Sequence, residues 1–175
     1  MESAPHEGAL GLRDRVLMEL IYGAGLRVSE AVGLRIEQLD LDSASLVVTG
    51  KRGKTRWIPL PRETVEWLDK WMTEGRPQVS KKPRAEVLLG ARGGPLNRRV
   101  ALEIIAQSAK KAGIEKAVSP HTLRHTYAVD LLKGGADLRA VQELLGHESI
   151  TTTQIYTELD REQLALQHKK AHPRR

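Results

Sequence analysis

From Asn97 onward the chain is cut into helix-length pieces by its own punctuation, and this constrains the fold more than any other feature. Ser119-Pro120 is a two-part helix start. Serine can cap the free amides of a first turn, and proline at the first helical position gives up only an N–H that has no partner there. The helix it opens runs to Gly134-Gly135. Asp137 caps the next one and Gly146 ends it, while Asn97 opens an earlier one that closes at Gly113. Asp160 with Gln163 has the spacing of a capping box for a last helix. Upstream, Leu12, Val16, Leu17, Leu20 and Ile21 keep helical spacing until Gly23-Ala24-Gly25, and Val28 to Leu34 reads as a second, short helix. A third begins near Arg62 with Val65, Leu68, Trp71 and Met72 inward. Residues 75–84, with two prolines and several charges, read as an exposed loop.

Strands are few. Leu46–Gly50 and Arg56–Leu60 flank the turn Lys51-Arg52-Gly53-Lys54, in which Gly53 can take positive φ, and Val87-Leu88-Leu89 reads as a short third strand. The expected architecture is α+β, mostly helical, with one small three-stranded antiparallel sheet. Residues 1–8 read as a tail or linker remnant and 9–175 as one domain. Aromatics are 3% of the chain and phenylalanine is absent, so the core must be aliphatic. The absence of cysteine removes disulfide scaffolds, thiolate zinc sites, iron–sulfur clusters and cysteine nucleophiles. No apolar run has the length of a membrane span and no signal-peptide pattern opens the chain, so a cytoplasmic protein with no membrane partner is expected. Lys and Arg number 28 against 22 Asp and Glu, a net +6 that is compatible with a polyanionic partner without demanding one.

Two motifs fail on inspection. Gly50-Lys51-Arg52-Gly53-Lys54-Thr55 looks phosphate-binding, but the first glycine of a P-loop would fall at Val48, and a strand follows where a helix is needed. His121-Thr122-Leu123-Arg124-His125 spaces two histidines like a zinc protease. Thr122 stands where the general-base glutamate belongs, and a cationic Arg124 between the ligands would repel a metal. No metal and no cofactor is expected.

Gly25-Leu26-Arg27-Val28-Ser29-Glu30, Ser119-Pro120-His121-Thr122-Leu123-Arg124-His125, Leu145-Gly146-His147 and Thr151-Thr152-Thr153-Gln154-Ile155-Tyr156 together resemble the tyrosine site-specific recombinases, most closely the Xer-type bacterial ones. The resemblance runs from about residue 11 to the C-terminus. It implies that family's catalytic-domain fold and a catalytic set of Arg27, Lys51, His121, Arg124, His147 and Tyr156. Glu30 would orient the first arginine; His125, on its own plainer reading, packs or hydrogen-bonds in a structural role behind the site. It implies double-stranded DNA as partner, cut and rejoined through a 3′-phosphotyrosine in recombination, integration or resolution of chromosome and plasmid dimers. It further implies a homo- or hetero-tetramer on DNA formed through the segment from Asp160 onward, a monomer without DNA, and nucleoid association. Full-length relatives carry an N-terminal core-binding domain that clamps the other face of the DNA; residues 1–175 have no room for it. Alternatives are a catalytically silent DNA-binding module and a type IB topoisomerase-like enzyme.

The residue types support these roles on their own chemistry. Guanidiniums offer planar forks to phosphate oxygens and stay charged at any working pH. A tyrosine, with pKa about 10, needs a base and a cationic surround before it can attack. A lysine at a hairpin tip can protonate the leaving 5′-oxygen. Each residue also has a plainer reading: Arg27 as a surface arginine, Lys51 as a solubilising turn residue, His147 as a helix cap, Tyr156 as an amphipathic core residue. Arg52, Lys54, Arg56, Arg98 and Arg99 are the candidates for DNA-backbone contact; of the wider basic set, which includes Lys110 and Lys111, some should touch DNA and others are solvated.

Overall fold

The structure, a computed structural model, describes residues 8–50, 53, 55–146 and 158–174. In chain order its elements are α1 (Gly8–Tyr22), α2 (Val28–Val32), β1 (Leu39–Asp40), β2 (Ser45–Thr49), β3 (Thr55–Pro59) and α3 (Arg62–Lys70). A π-helical turn (Trp71–Gly75) leads into α4 (Arg76–Val79), and α5 (Arg98–Lys111), α6 (Pro120–Lys133), α7 (Leu138–Leu145) and α8 (Glu158–Ala171) follow.

Helix α1 is the centre of the molecule. Val16, Leu17, Leu20 and Ile21 are fully buried, and so, nearly, are Arg13, Arg15 and Glu19. A helix covered on all sides must satisfy its charges internally. Arg15 bonds Glu19 and Glu63, each at 2.8 Å, and Arg13 pairs with Asp14. Around α1 lie two mainly aliphatic cores, with Trp71 fully buried in one and Tyr127 in the other. The larger joins α1, α2, the sheet, α3, the Val87–Leu89 segment and α5; the smaller joins α6, α7 and α8 through Tyr127, Leu131, Val141, Leu144, Leu145, Leu164 and Ala171. The candidate site falls on the seam between them.

The sheet is antiparallel in the order β1-β2-β3. Leu46 pairs with Ile58 and Val48 with Arg56 in the β2–β3 ladder, and Gly53 between the strands has φ +72°. Helix starts fall where the caps predict. Asn97 accepts a bond from the Arg99 amide, Ser119 from Thr122 and Asp137 from Arg139, and Gly146 closes α7 at φ 64°.

Three expectations need correction. The third strand is Leu39–Asp40 rather than Val87–Leu89. The latter run is fully buried but forms only isolated bridges, its backbone being shared among Leu34, Leu96 and the Trp71 indole. Burial without a ladder gives the same apolar pattern as a strand. The supposed loop from Gly75 begins as helix and continues to Val79. In an unbroken α-helix Pro77 would meet the carbonyl four residues back. The wider turn Trp71–Gly75, closed by a bond from the Arg76 amide to the Trp71 carbonyl, relieves that conflict. Finally, α8 is already helical at Glu158, so Asp160 lies inside its first turn and is not its cap. Helix α8 packs on its own domain, with Leu164 buried and Leu166 67% exposed.

Candidate active site

The site is assembled around one carboxylate. Arg27 is the residue before α2, and Glu30, in that helix's first turn, folds back to accept its backbone N–H at 2.8 Å. The same carboxylate accepts Nη1 of Arg27 at 2.9 Å and both Nη1 and Nη2 of Arg56 at 2.8 Å. Nη1 of Arg124 stands 3.9 Å away. Three guanidiniums thus share one acidic side chain, which leaves the cluster two positive charges in excess.

A second set of acceptors lies at the end of α7. The last carbonyls of a helix have no partners within it and carry the negative end of its dipole. Here three consecutive ones are each met by a different arginine: Leu144 by Nε of Arg56 at 3.0 Å, Leu145 by Nη2 of Arg124, and Gly146 by Nη2 of Arg27 at 3.4 Å. Arg124 also donates Nη1 to the Gly25 carbonyl. Gly25 has φ +64°, and a Cβ there would lie 2.5 Å from the Tyr127 ring, so only glycine lets the α1–α2 connection lie this close.

Burial divides the three arginines. Arg27 is 43% exposed in its side chain, whereas Arg124 is 11% and Arg56 7% exposed. Burial and the neighbouring Arg27 and Arg56 charges lower the Arg124 pKa to about 10, which still leaves it charged at neutral pH. For Glu30 burial acts upward, but the hydrogen bonds and charge of Arg56, then those of Arg27, overcome it and bring the pKa to about 2. The carboxylate is therefore a permanent anchor rather than a proton carrier.

His121 is exposed in the first turn of α6, and Arg124 follows one turn later on the same face. The structure so brings together Arg27, Glu30 and Arg124. His125 is exposed, one position round the helix from Arg124, so it is not packed into the core behind the site. Arg98 and Arg99 lie on the exposed first turn of α5, where Arg99 pairs with Glu103 at 3.1 Å. Lys110 and Lys111 are exposed in its last turn. Lys51, Arg52, Lys54, His147 and Tyr156 lie outside the described residues.

Arg56 requires the main correction. It is not a surface cation for DNA backbone but a buried member of the cluster, its guanidinium committed to Glu30 and Leu144. The signal was the period of the strand: Arg56 shares its face with Ile58, which points into the core. Among the described residues no group of three or more acidic or histidine side chains could hold a metal, and no helix is long and apolar enough to cross a membrane.

Residues 1–163 match the phage integrase family, and the chain belongs to it. Within that family the chain is 47% identical over 172 residues to tyrosine recombinase XerD of Mycobacterium tuberculosis, covering 97% of this chain and 55% of the relative. It is 48% identical over 167 residues to XerD of Lacticaseibacillus casei, covering 94% and 57%. The chain thus spans about half the length of the curated relatives it matches. Among solved structures, the integrase of mycobacterium phage Brujita superposes with a TM-score of 0.75 at 31% identity, over 94% of this chain and 53% of that one. XerH recombinase bound to its palindromic difH substrate after cleavage gives 0.73 at 28% identity, over 93% and 47%.

Proposed function

We propose that this chain is the catalytic unit of a site-specific tyrosine recombinase that cuts and rejoins double-stranded DNA. The observation that carries the reading is the cluster itself. Two guanidinium groups, Arg27 and Arg124, are held by Glu30 and the end of α7, and with Arg56 counted the cluster carries two positive charges in excess. Such an arrangement is preorganised for the extra charge of a pentacoordinate phosphate and needs no metal to build it.

In the proposed reaction the Tyr156 oxygen attacks phosphorus in line with the 5′-oxygen. The new P–O(tyrosine) bond forms as the P–O5′ bond breaks. The phenolic proton passes to a histidine, His121 or His147, and Lys51 protonates the departing 5′-oxygen. A phosphodiester is exchanged for another phosphodiester, so rejoining by a 5′-hydroxyl needs no external energy. In this reading His121, exposed one turn before Arg124 on α6, faces the DNA backbone, and its exposure supports that role. Arg98, Arg99, Lys110 and Lys111 supply sequence-independent backbone attraction from α5. The reading includes action on the chromosome in the cytoplasm, and assembly of four protomers on DNA in which α8, packed on its own domain through Leu164, offers its exposed Leu166 to a neighbour.

The test uses nicked duplexes with randomised flanks, in which the short 5′-hydroxyl fragment diffuses away after cleavage. The chain should become covalently joined to a recoverable set of sequences at a 3′-phosphate, and Tyr156→Phe should abolish the adduct. An adduct formed equally by Tyr156→Phe, or none with the unaltered chain, refutes the assignment.

A further inference from the structure

Arg56 is the most deeply buried arginine of the cluster, yet a buried cation is a poor device for stability alone. Replacing a buried ion pair by apolar groups of similar volume is often neutral or stabilising. What Arg56 offers that an apolar side chain cannot is geometry. Its planar fork spans both oxygens of Glu30 while Nε reaches the Leu144 carbonyl, three bonds at 2.8, 2.8 and 3.0 Å. One guanidinium thereby ties three separate elements: β3, α2 and the end of α7.

Each of these elements leads directly to a residue of the proposed chemistry. Glu30 holds Arg27. Arg56 follows Lys51 by five positions on the strand that leaves the hairpin turn. Gly146, next to His147 in the chain, is left-handed, and a Cβ on it would lie 3.2 Å from Cδ and Nη1 of Arg56. The side chain of Arg56 therefore lies against the backbone by which α7 hands over to His147.

We infer that Arg56 is a positioning residue for strand cleavage, acting through Glu30 and the α7 terminus to hold Arg27 and Arg124 in register with the hairpin. It is not a phosphate ligand in this reading, because its side chain is only 7% exposed and three of its five N–H donors are directed at protein acceptors. The inference rests on the recombinase reading. Lysine at this position keeps the charge but not the fork, so it should not restore function.

The experiment compares the unaltered chain with Arg56→Lys, Arg56→Met, Glu30→Gln and Arg56→Met/Glu30→Gln on a duplex recovered by covalent capture. Thermal melting reports folding, a binding titration reports DNA affinity, and single-turnover adduct formation at saturating DNA reports the chemical step. Misplacing reacting groups by about 1 Å costs on the order of 10²-fold. Arg56→Met and Arg56→Lys should each lose roughly that much in the saturated rate while DNA affinity changes by less than about threefold. Because Arg56 acts partly through Glu30, Arg56→Met should cost clearly less, under about tenfold, when Glu30→Gln is already present, the remainder passing through the Leu144 carbonyl. The inference is overturned if Arg56→Lys cleaves at the unaltered rate, if the loss lies entirely in DNA affinity, or if the two substitutions multiply independently. Should Arg56→Met fail to fold, the lysine variant still decides the matter. A chain with no adduct at all instead refutes the recombinase reading.

Discussion

Replacing Glu30 by glutamine removes the charge on which three guanidiniums converge while keeping the side chain's shape. Its cost follows from the structure. A carboxyl held at about 2 rather than 4.5 corresponds to about 3 kcal/mol of native-state stabilisation of the anion, and with the side chain only 8% exposed little of this is lost to solvent screening. Breaking a buried ion pair costs about 3–5 kcal/mol by a separate route, and the amide can still accept one bond. Glu30→Gln should therefore destabilise by about 2–4 kcal/mol at pH 7, or roughly 10 °C in melting temperature for a domain of this size. The pH dependence has a definite sign. Above pH 4.5 both states are ionised and the contribution is complete. As pH falls from 4.5 toward about 2 the unfolded chain takes up the proton first, and the contribution disappears. Urea unfolding of both proteins at pH 7, 5 and 3 measures this directly. The gap between them should be unchanged from pH 7 to 5 and smaller at pH 3. A gap below about 1 kcal/mol at pH 7, or one that does not narrow in acid, would refute the anchoring role.

Two further perturbations probe the scaffold. Gly25→Ala combines a left-handed backbone with a Cβ 2.5 Å from the Tyr127 ring. Strain of about 1–2 kcal/mol from the first and about 1–3 from the second should add, measured by chemical denaturation, and a loss under about 1 kcal/mol would show that the connection simply moves. His168 and His172 are buried with ring centroids 4.9 Å apart, and burial first, then neighbouring charge, holds their pKa values at about 3 and about 4. Both folded values lie below the ordinary 6.5, so their contribution is complete above pH 6.5 and is lost as pH falls toward 4. Near pH 5 unfolding should take up nearly two protons through this pair, a slope of about 2.7 kcal/mol per pH unit. Comparing the pH dependence of unfolding with that of His168→Leu/His172→Leu measures it, and equal slopes would mean the pair is charged when folded.

The helices from Asn97, Ser119 and Asp137 were legible because their caps act locally: a side-chain oxygen and the amide it serves lie two or three residues apart. Arg27, Glu30 and Arg124 were legible as a set because their order and flanks match a known pattern. The role of Arg56 was hidden because a cation on a strand normally reads as solvent-facing, and only its shared face with Ile58 hinted otherwise. The union of three α7 carbonyls with three arginines could not be read at all, since it depends on contacts between residues 21 to 119 positions apart. The helix through Pro77 was missed for a related reason. Proline's local penalty is relieved by a π turn, a backbone adjustment that the side-chain pattern does not announce.

In the proposed reaction Arg124, held by the Gly25 and Leu145 carbonyls, neutralises charge developing on the scissile phosphate. A duplex in which that phosphate is replaced by an uncharged methylphosphonate tests it most directly. On ordinary DNA, Arg124→Ala should slow single-turnover adduct formation by about 10³-fold, in line with the loss of a charge-stabilising donor. On the methylphosphonate duplex the same substitution should cost less than about tenfold, because there is one negative charge fewer to stabilise. An equal loss on both duplexes would show that Arg124 serves the reaction in some way other than charge stabilisation and would contradict the role proposed for the cluster.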